Sequence, residues 1–477
     1  MKKKFFQDIS ASTLQVLFNQ VLGLLVFILT SRYLTKSEYG ELNWSLAMLT
    51  FVITILSLRL EQIVVRKVAA GDNPSMMLTL FTGHTVFFGV VFYGLLFLLT
   101  LLFPSFFIQH NLLFILAVSQ LLSFFSSPFK HLANGKELFK LLAIMSSVSN
   151  LVKSILLLLL LMFFEFTVQQ VIIVFIIASL TELFVSMYIV QYRLKVSISN
   201  QWKLSDYYAL LYESLPQIGS VFLNACIARL DWILLGFFTT TIITAEYSFA
   251  YKMFELCPLP VLILGPVLLS RFSRYFSSHN EDALLEKKKE LGFYIRYAMI
   301  AATFIPLVLN LVWTPMIDML TNNKYGAVNK NTFLLLSFCI PFQYMINLFW
   351  TIHFAQNRLK LIFRITAVTS IVIITGDLLM IPVFNAKGAA IVYLLATIVE
   401  YIIYLRSSIM IKMKDSWESL LICLGIALVS GFFAEYMSNH LFLKLILASG
   451  IYISLVVITG QVKRNDRQTL KHWLNNK

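Results

Sequence analysis

Long apolar stretches follow one another along nearly the whole chain, and only short polar segments separate them. A ~30 Å hydrocarbon layer requires about 20 apolar residues per helical crossing, and about 14 such stretches occur. The pattern predicts crossings at residues 10–33, 42–63, 77–103, 111–132, 139–163, 167–190, 208–237, 242–269, 292–313, 332–355, 361–383, 388–406, 418–437 and 441–461. It therefore indicates an all-α polytopic membrane protein.

The composition and the placement of charge agree with this interpretation. Of the 477 residues, 58% are hydrophobic and only 13% are charged, which is too few charges for the surface of a soluble protein. With the first helix starting inside, cytoplasmic segments hold about 27 of the 38 Lys and Arg and external segments roughly six. Both termini are therefore predicted to be cytoplasmic. The formal charge of +14 orients helices and meets anionic lipid, so no nucleic-acid partner is expected.

The cysteines, the glycines and the N-terminus limit which kinds of site and segment the chain is expected to contain. Four cysteines lie singly in apolar segments and indicate neither a disulfide framework nor a metal site. The chain contains no glycine-rich phosphate loop, and we expect no cofactor. The basic N-terminus resembles a signal peptide, but no small-residue cleavage site follows, so the first apolar run is interpreted as a retained helix.

Short internal repeats predict two related halves. Three pairs of segments recur at offsets of about 208 to 222 residues, six crossings apart, which gives both copies one orientation. The pairs are 131–136 with 353–358, 180–188 with 398–404, and 38–40 with 246–248. They predict two parallel-related six-helix bundles around a central cavity, plus two C-terminal helices. The predicted divisions are an N-terminal lobe at 1–195, a cytoplasmic linker at 196–207, a C-terminal lobe at 208–407, and two extra helices with a basic tail at 408–477.

Ionisable residues at membrane depth are costly and are therefore candidate functional residues. Lys153 lies near the middle of the fifth crossing, where its amine does not easily snorkel to either surface. It is interpreted either as a substrate-binding cation or as the structural partner of an acid such as Glu182. In the seventh crossing, Arg229 and Asp231 point about 200° apart on a helix, so at least one is expected to face a cavity.

Further charged residues extend this set. Lys252 and Glu255 in the eighth crossing share a helix face, so a structural ion pair and a site both remain open. Arg59, towards the cytoplasmic end of the second crossing, is a candidate cation with a rim position in water as the alternative. Asp377 is a candidate proton or cation site or a pairing acid, in the same class as Asp231, Glu182 and Glu255.

The cations of the first eight crossings indicate a wet, positively charged cavity. Guanidinium and ammonium groups can replace the water that an anion loses, which suits a phosphate or pyrophosphate substrate. The predicted substrate-binding residues are Lys153, Arg229, Lys252 and Arg59.

An ordered set of short motifs also carries a family resemblance. The N-terminal motifs are Asn19-Gln-Val-Leu-Gly23, Ser31-Arg-Tyr-Leu34, Glu38-Tyr-Gly40 and Val65-Arg-Lys-Val-Ala69. Later ones are Pro216, Arg229-Leu-Asp-Trp-Ile-Leu-Leu-Gly236, Ala245-Glu-Tyr-Ser-Phe-Ala250, Ala355-Gln-Asn-Arg358 and Lys387-Gly-Ala-Ala390. Together they resemble the Wzx-type polysaccharide flippases of the multidrug/oligosaccharidyl-lipid/polysaccharide exporter superfamily. Arg59 departs from the family, which usually has a small residue there, so no family role is transferred to it.

The resemblance implies a two-lobed, fourteen-helix fold in the bacterial cytoplasmic (inner) membrane. It implies translocation of an undecaprenyl-pyrophosphate-linked oligosaccharide from the inner to the outer leaflet by alternating access, for surface polysaccharide such as O-antigen or capsule. Membrane lipids, a polysaccharide polymerase and a chain-length regulator are the other expected partners. Proton or sodium antiport, the membrane potential and consumption of product outside all remain open as energy sources.

Three alternatives were weighed against this interpretation. A multidrug/cation antiporter would require acids rather than cations in its cavity. A lipid II flippase would share the basic cavity, but the opening motifs fit the polysaccharide branch better. A membrane glycosyltransferase or polymerase would need a sizeable external loop, and the predicted loops do not exceed about 20 residues. We therefore expect a transporter and not an enzyme.

Overall fold

The computed structural model describes residues 2–199, 203–261, 265, 268–269, 272, 281–407, 413–463 and 466, with side chains outside 2–16, 281–290 and 413–416. Within these residues the secondary structure is helical, without strands, which confirms the predicted all-α class. Backbone contacts group the chain into two compact units, Met1–Ala245 and Glu246–Lys477. The predicted basic tail beyond 466 lies outside the described residues.

The helices of the first unit follow closely on one another. They are α1 (Lys2–Tyr33), α2 (Lys36–Leu56), α3 (Leu60–Ala69), α4 (Pro74–Leu102), α5 (Pro104–Gln109), α6 (Asn111–Gly135), α7 (Phe139–Phe163), α8 (Val168–Tyr188), which continues as a π-helical turn at Ile189–Arg193, and α9 (Leu204–Phe238). The helix α10 (Thr241–Phe254) begins in the first unit and continues into the second.

The second unit contains the other helices of the described residues. They are α11 (Glu281–Thr321), α12 (Gly326–Ser337), α13 (Cys339–Ala355), α14 (Leu359–Ser407), α15 (Met413–Met437) and α16 (Leu441–Ile458). Within this unit α11 packs against α12, α13, α15 and α16. All four cysteines of the chain are free thiols in buried positions.

Eleven helical segments in the described part of the chain are long and apolar enough to cross a bilayer. Three predicted crossings are not separate members of that set. They correspond to α1, whose residues Leu17–Tyr33 form a shorter apolar helix, to α10, and to one half of α14. The chain is thus a multi-pass membrane protein, and the total of 14 crossings stays a prediction.

The predicted second crossing, 42–63, is not one helix. Helix α2 ends at Leu56, and Leu58 and Arg59 have positive φ values of 47° and 62°. Such left-handed backbone is unfavourable for residues with a Cβ and ends the helical hydrogen-bond ladder. Arg59 is therefore the N-cap residue of α3, a separate amphipathic helix.

Helix α14 contains the eleventh and twelfth predicted crossings, joined without a loop. Asn385 has φ 52° and ψ −135° and separates the two halves with a kink. Asparagine tolerates positive φ better than most residues, so the break falls at this position. The predicted boundary between 383 and 388 therefore coincides with the kink.

One of the predicted repeats occupies matching turns. Between α6 and α7 the N–H of Leu138 donates to the carbonyl of Ala133, and between α13 and α14 the N–H of Arg358 donates to His353, both at 2.9 Å. The residue before each donor is left-handed, as in a Schellman-type helix end. The proposed relation of whole bundles remains a prediction.

The predicted linker, 196–207, belongs to the first unit. The N–H of Ser199 donates to the hydroxyl of Thr79 on α4 at 2.7 Å, and α9, which begins at Leu204, packs against α2 and α3. Residues 200–202 lie outside the described part. The division into lobes at this linker stays a prediction.

Candidate functional site

A charged cluster lies among α6, α7 and α8, which pack on one another inside the first unit. Glu182 on α8 pairs with the ammonium of Lys130 on α6 and accepts a hydrogen bond from the Ser126 hydroxyl at 3.1 Å. The side chain of Glu182 is 7% exposed and that of Lys130 is 21% exposed. This corrects the sequence-based hypothesis that Glu182 pairs with Lys153, because Lys130 reaches the carboxylate from the adjacent helix.

Lys153 lies on α7 beside this pair. Its ammonium is 4.6 Å from the centroid of the Phe175 ring on α8, a cation–π contact. Lys130 and Glu182 are close enough to interact with it electrostatically, but among the described residues no carboxylate lies within ion-pair distance of the Lys153 ammonium. Two cations therefore share one anion, which leaves a net positive charge in the cluster.

Serine hydroxyls bring α6 and α8 together next to this cluster. Ser119 donates to the carbonyl of Phe175 at 3.1 Å and bonds to the hydroxyl of Ser179 at 2.9 Å. Ser123 also donates to Ser179, at 3.2 Å. Small polar residues at a helix interface allow close backbone approach within a membrane. They fix the spacing of the two helices that carry Lys130 and Glu182.

Arg229 and Asp231 occupy a different place, on α9. Asp231 is 3% exposed and accepts a hydrogen bond from the N–H of Trp232 at 2.8 Å. Arg229 is half-buried, donates to the carbonyl of Ala228 at 3.2 Å, and lies 5.0 Å from the Trp232 ring. The two charges thus have different surroundings, in line with their angular separation on the helix.

The remaining candidates are distributed over both units. Arg59 is half-buried at the break before α3 and interacts electrostatically with Glu61. In the second unit, Lys252 and Glu255 form an ion pair at 2.8 Å. Asp377 on α14 is 1% exposed. The structure brings Lys153 and Glu182 into one cluster. Arg59, the Lys252–Glu255 pair and Asp377 lie outside that cluster.

A second buried pair was not found from the sequence. Nδ1 of His110, at the start of α6, donates to both carboxylate oxygens of Glu41 on α2, at 3.0 and 3.1 Å. Both side chains are almost fully buried. Hydropathy placed the two residues just outside the fourth and second crossings. The signal in the sequence that could have indicated this pair is an ionisable residue directly before the start of each of these two predicted crossings.

Ion pairs also connect α3 with α9. Arg66 and Lys67, in the last turn of α3, both pair with Glu213, the Lys67 contact measuring 2.8 Å. Lys67 lies in addition 3.8 Å from Asp72. These side chains keep between 26% and 63% of their surface exposed. Such pairs contribute little to stability and are weakened by salt.

The second unit contains a cavity of about 460 Å³ among α11, α12 and α15. Its walls are mainly apolar, including Leu307, Leu334 and Ala427, and its charged lining residues are Lys330 and Glu435. This volume lies within the range of small-ligand pockets.

Comparisons with known proteins identify the fold. The lipid II flippase MurJ in an inward closed conformation aligns with a TM-score of 0.74 at 15% identity, covering 94% of this chain and 98% of that chain. An inward-facing multidrug resistance MATE family transporter of the MOP superfamily gives 0.64 at 11% identity, covering 88% and 96%. A mutant of the Vibrio cholerae MATE transporter VcmN gives 0.57 at 16% identity, covering 86% and 98%. No curated protein sequence gave a match.

Likeness at these identities shows the fold alone, and it is the fold that the motifs predicted. The family model described as polysaccharide biosynthesis protein matches residues 5–276, more than half of the chain. The predicted superfamily is thereby confirmed, while the Wzx-type specificity stays a prediction. The chain belongs to the polysaccharide biosynthesis protein family.

Proposed function

We propose that the protein is a flippase for an undecaprenyl-pyrophosphate-linked oligosaccharide repeat unit. It moves this substrate from the inner to the outer leaflet of the bacterial cytoplasmic membrane by alternating access. The product serves assembly of a surface polysaccharide, with a polymerase and a chain-length regulator as downstream partners. The proposed transport involves no covalent chemistry.

One observation carries the proposal: a member of a polysaccharide biosynthesis family has the fold of membrane exporters. Several connections in the described part of the chain are short, including residues 34–35 between α1 and α2 and 322–325 between α11 and α12. Loops of this length offer no catalytic domain for sugar transfer. Movement of a lipid-linked sugar is the biosynthetic step that such a chain can perform.

The cluster at Lys153 is the proposed anion contact. Glu182 offsets one of its two positive charges, and Lys153 keeps its ammonium against the Phe175 ring. The net positive charge of the cluster would attract a pyrophosphate group, and ammonium groups bind phosphates as point charges. We propose that Lys153 contacts the substrate, beside the structural ion pair of Lys130 and Glu182.

The other predicted residues receive unequal roles. Arg229 is proposed as a second substrate cation, held beside Trp232. The Lys252 charge is already offset by Glu255, which reduces its attraction for an anion. Asp231 and Asp377 remain proposed ion-coupling acids, and Arg59 a proposed rim cation.

The cavity in the second unit would suit the lipid part of the substrate. The apolar part of its lining favours contact with a hydrocarbon. We propose that it takes a segment of the polyprenyl chain.

Flipping in proteoliposomes tests the function. A fluorescent lipid-linked oligosaccharide is incorporated, and its movement is followed by protection from a membrane-impermeant quencher. Lys153→Met removes the charge at similar length, and we expect a loss of about tenfold or more in apparent affinity, the size of one charged hydrogen bond. The matched control is Lys140→Met, at the exposed start of the same helix. Absence of flipping by the native protein would refute the function, and full flipping by Lys153→Met would refute the role of Lys153.

Lipid II flipping is the second candidate, because the MurJ structure aligns over nearly the whole chain. Lipid II shares the pyrophosphate and differs in its glycan. Competition between unlabelled lipid II and the labelled oligosaccharide lipid separates the two functions. Stronger competition by lipid II than by unlabelled oligosaccharide lipid would favour the second candidate. A cation antiporter would instead transport a cationic dye and would flip neither lipid.

A further inference from the structure

A chain of contacts connects the buried Glu41–His110 pair to α9. The His110 ring packs against the ring of Trp44, with centroids 4.3 Å apart. The indole N–H of Trp44 donates to the carbonyl of Ile233 on α9 at 3.2 Å. On the other side of Glu41, the Ser45 hydroxyl lies 3.5 Å from the carboxylate. The pair therefore holds the ring that joins α2 to α9.

Two glycines allow α2 to approach α9 and the start of α10. A Cβ at Gly236 would overlap the Trp44 ring, and a Cβ at Gly40 would overlap the carbonyl of Thr241, the first residue of α10. The hydroxyls of Ser37 and Thr241 lie 2.9 Å apart at the edge of this contact. Helices this close leave no room for water between them. At this end of the first unit, α2 and α9 are therefore in direct contact.

We propose that Glu41 and His110 form a proton-binding site that controls the α2–α9 contact. The inference rests on the proposed function in that alternating access requires this contact to open. With a neutral imidazole the buried pair carries one negative charge. Proton uptake by His110 makes it a neutral ion pair and adds a cation–π attraction to Trp44.

The sign of the effect follows from burial. An uncompensated carboxylate is unfavourable away from water, so the deprotonated pair favours an arrangement that admits water. Proton binding and closure therefore favour each other, as linkage requires. The closed fraction should therefore fall as the pH rises.

Other ionisable groups lie on the helices packed at this end. Glu38, in the first turn of α2, accepts hydrogen bonds from Thr35 as part of a capping box. Arg32 at the end of α1 lies over the ring of Tyr33. The remaining groups at this end are Lys36 on α2, Glu165 before α8, and Arg229 and Asp231 on α9. The Glu41–His110 pair differs from these in that each partner is an almost fully buried titratable side chain facing the other.

A cysteine pair reports closure without substrate or transport. Ser37→Cys and Thr241→Cys are introduced into the full chain, whose native cysteines are buried, and oxidative crosslinking is measured in liposomes against pH. Thiol oxidation alone accelerates as the pH rises, because the thiolate is the reactive form. We expect the opposite trend, a crosslinked fraction that falls with pH by up to about tenfold per unit, the linkage limit for one proton.

Three variants in this background decide the proposal. Glu41→Gln and His110→Asn should each abolish the fall, and either suffices if the other does not fold. Glu38→Gln, which alters an acid three residues from Glu41, should retain it. An unchanged fall in Glu41→Gln or His110→Asn, a native yield that rises with pH, or no crosslink at any pH would overturn the proposal. Because no lipid-linked substrate is present, these outcomes are independent of whether the chain flips oligosaccharide.

Discussion

Replacing Glu182 by Gln should separate the structural part of the charged cluster from its proposed substrate contact. The amide keeps the oxygen that accepts from Ser126 but removes the charge that Lys130 and Lys153 share. The ammonium groups of Lys130 and Lys153 then repel each other, with no anion between them to offset their charge. We expect Glu182→Gln to be folded but clearly less stable than the native chain.

The magnitude follows from the burial of the pair. Breaking a buried ion pair by removing one partner typically destabilises a protein by about 3–5 kcal/mol. The Lys130 side chain keeps 21% of its surface exposed, so we expect the lower end, about 3 kcal/mol. Lys130→Met should be milder, because Lys153 still compensates Glu182. Adding Lys130→Met or Lys153→Met to Glu182→Gln should restore most of the loss, since either removes one of the two facing cations.

Thermal unfolding in detergent, monitored by size-exclusion chromatography, ranks the variants by stability. Flipping in proteoliposomes measures their apparent affinity for the substrate. Glu182→Gln should lower the unfolding temperature while substrate affinity is kept or increased. Lys153→Met should lower affinity without lowering the unfolding temperature. A Glu182→Gln protein as stable as the native chain would refute the electrostatic reasoning. A Glu182→Gln/Lys130→Met protein no more stable than Glu182→Gln alone would do the same.

Three further predictions concern other parts of the molecule. Gly236→Leu should force the Trp44 ring away and reduce Ser37–Thr241 crosslinking at every pH, whereas Gly23→Ala, with open space around its Cβ, should not. Glu213→Gln should remove the ion pairs to α3 and make hydrogen exchange at the start of α9 insensitive to salt; equal salt sensitivity in the variant would contradict this. Ala427→Phe should fill the cavity in the second unit and slow flipping of long polyprenyl lipids more than short-chain analogues, and an equal effect on both would argue against a lipid-binding cavity.

Hydropathy predicted most helices because membrane burial imposes one simple requirement. The fifth crossing, predicted at 139–163, coincides with α7, since its leucine run is bounded by polar residues on both sides. The prediction of the second crossing as one helix was wrong, because Leu58 and Arg59 have a left-handed backbone that apolar periodicity does not encode. The predicted boundary between the eleventh and twelfth crossings coincides with the kink at Asn385, because polar residues interrupt the apolar run there.

The candidate site was predicted less completely because hydropathy registers a charge but not its partner. Lys153 and Glu182 were singled out as residues at membrane depth, yet the partner of Glu182 is Lys130, near the end of the predicted crossing 111–132, which was not among the candidates. The Glu41–His110 pair joins residues far apart in sequence, at the ends of two predicted crossings. Only helix packing shows that these ends are buried against each other.

The two contacts that hold α9 differ in strength, and the difference suggests an order of opening. Near Phe238, α9 is held by the Trp44 ring and its hydrogen bond, in a buried contact that excludes water. Near its start it is held by Glu213 through exposed ion pairs, each of which contributes about 0–1 kcal/mol. By the predicted topology the first contact faces outside and the second faces the cytoplasm. The weaker cytoplasmic contact should therefore open first, which would expose the inside-facing route before proton release loosens the outer one.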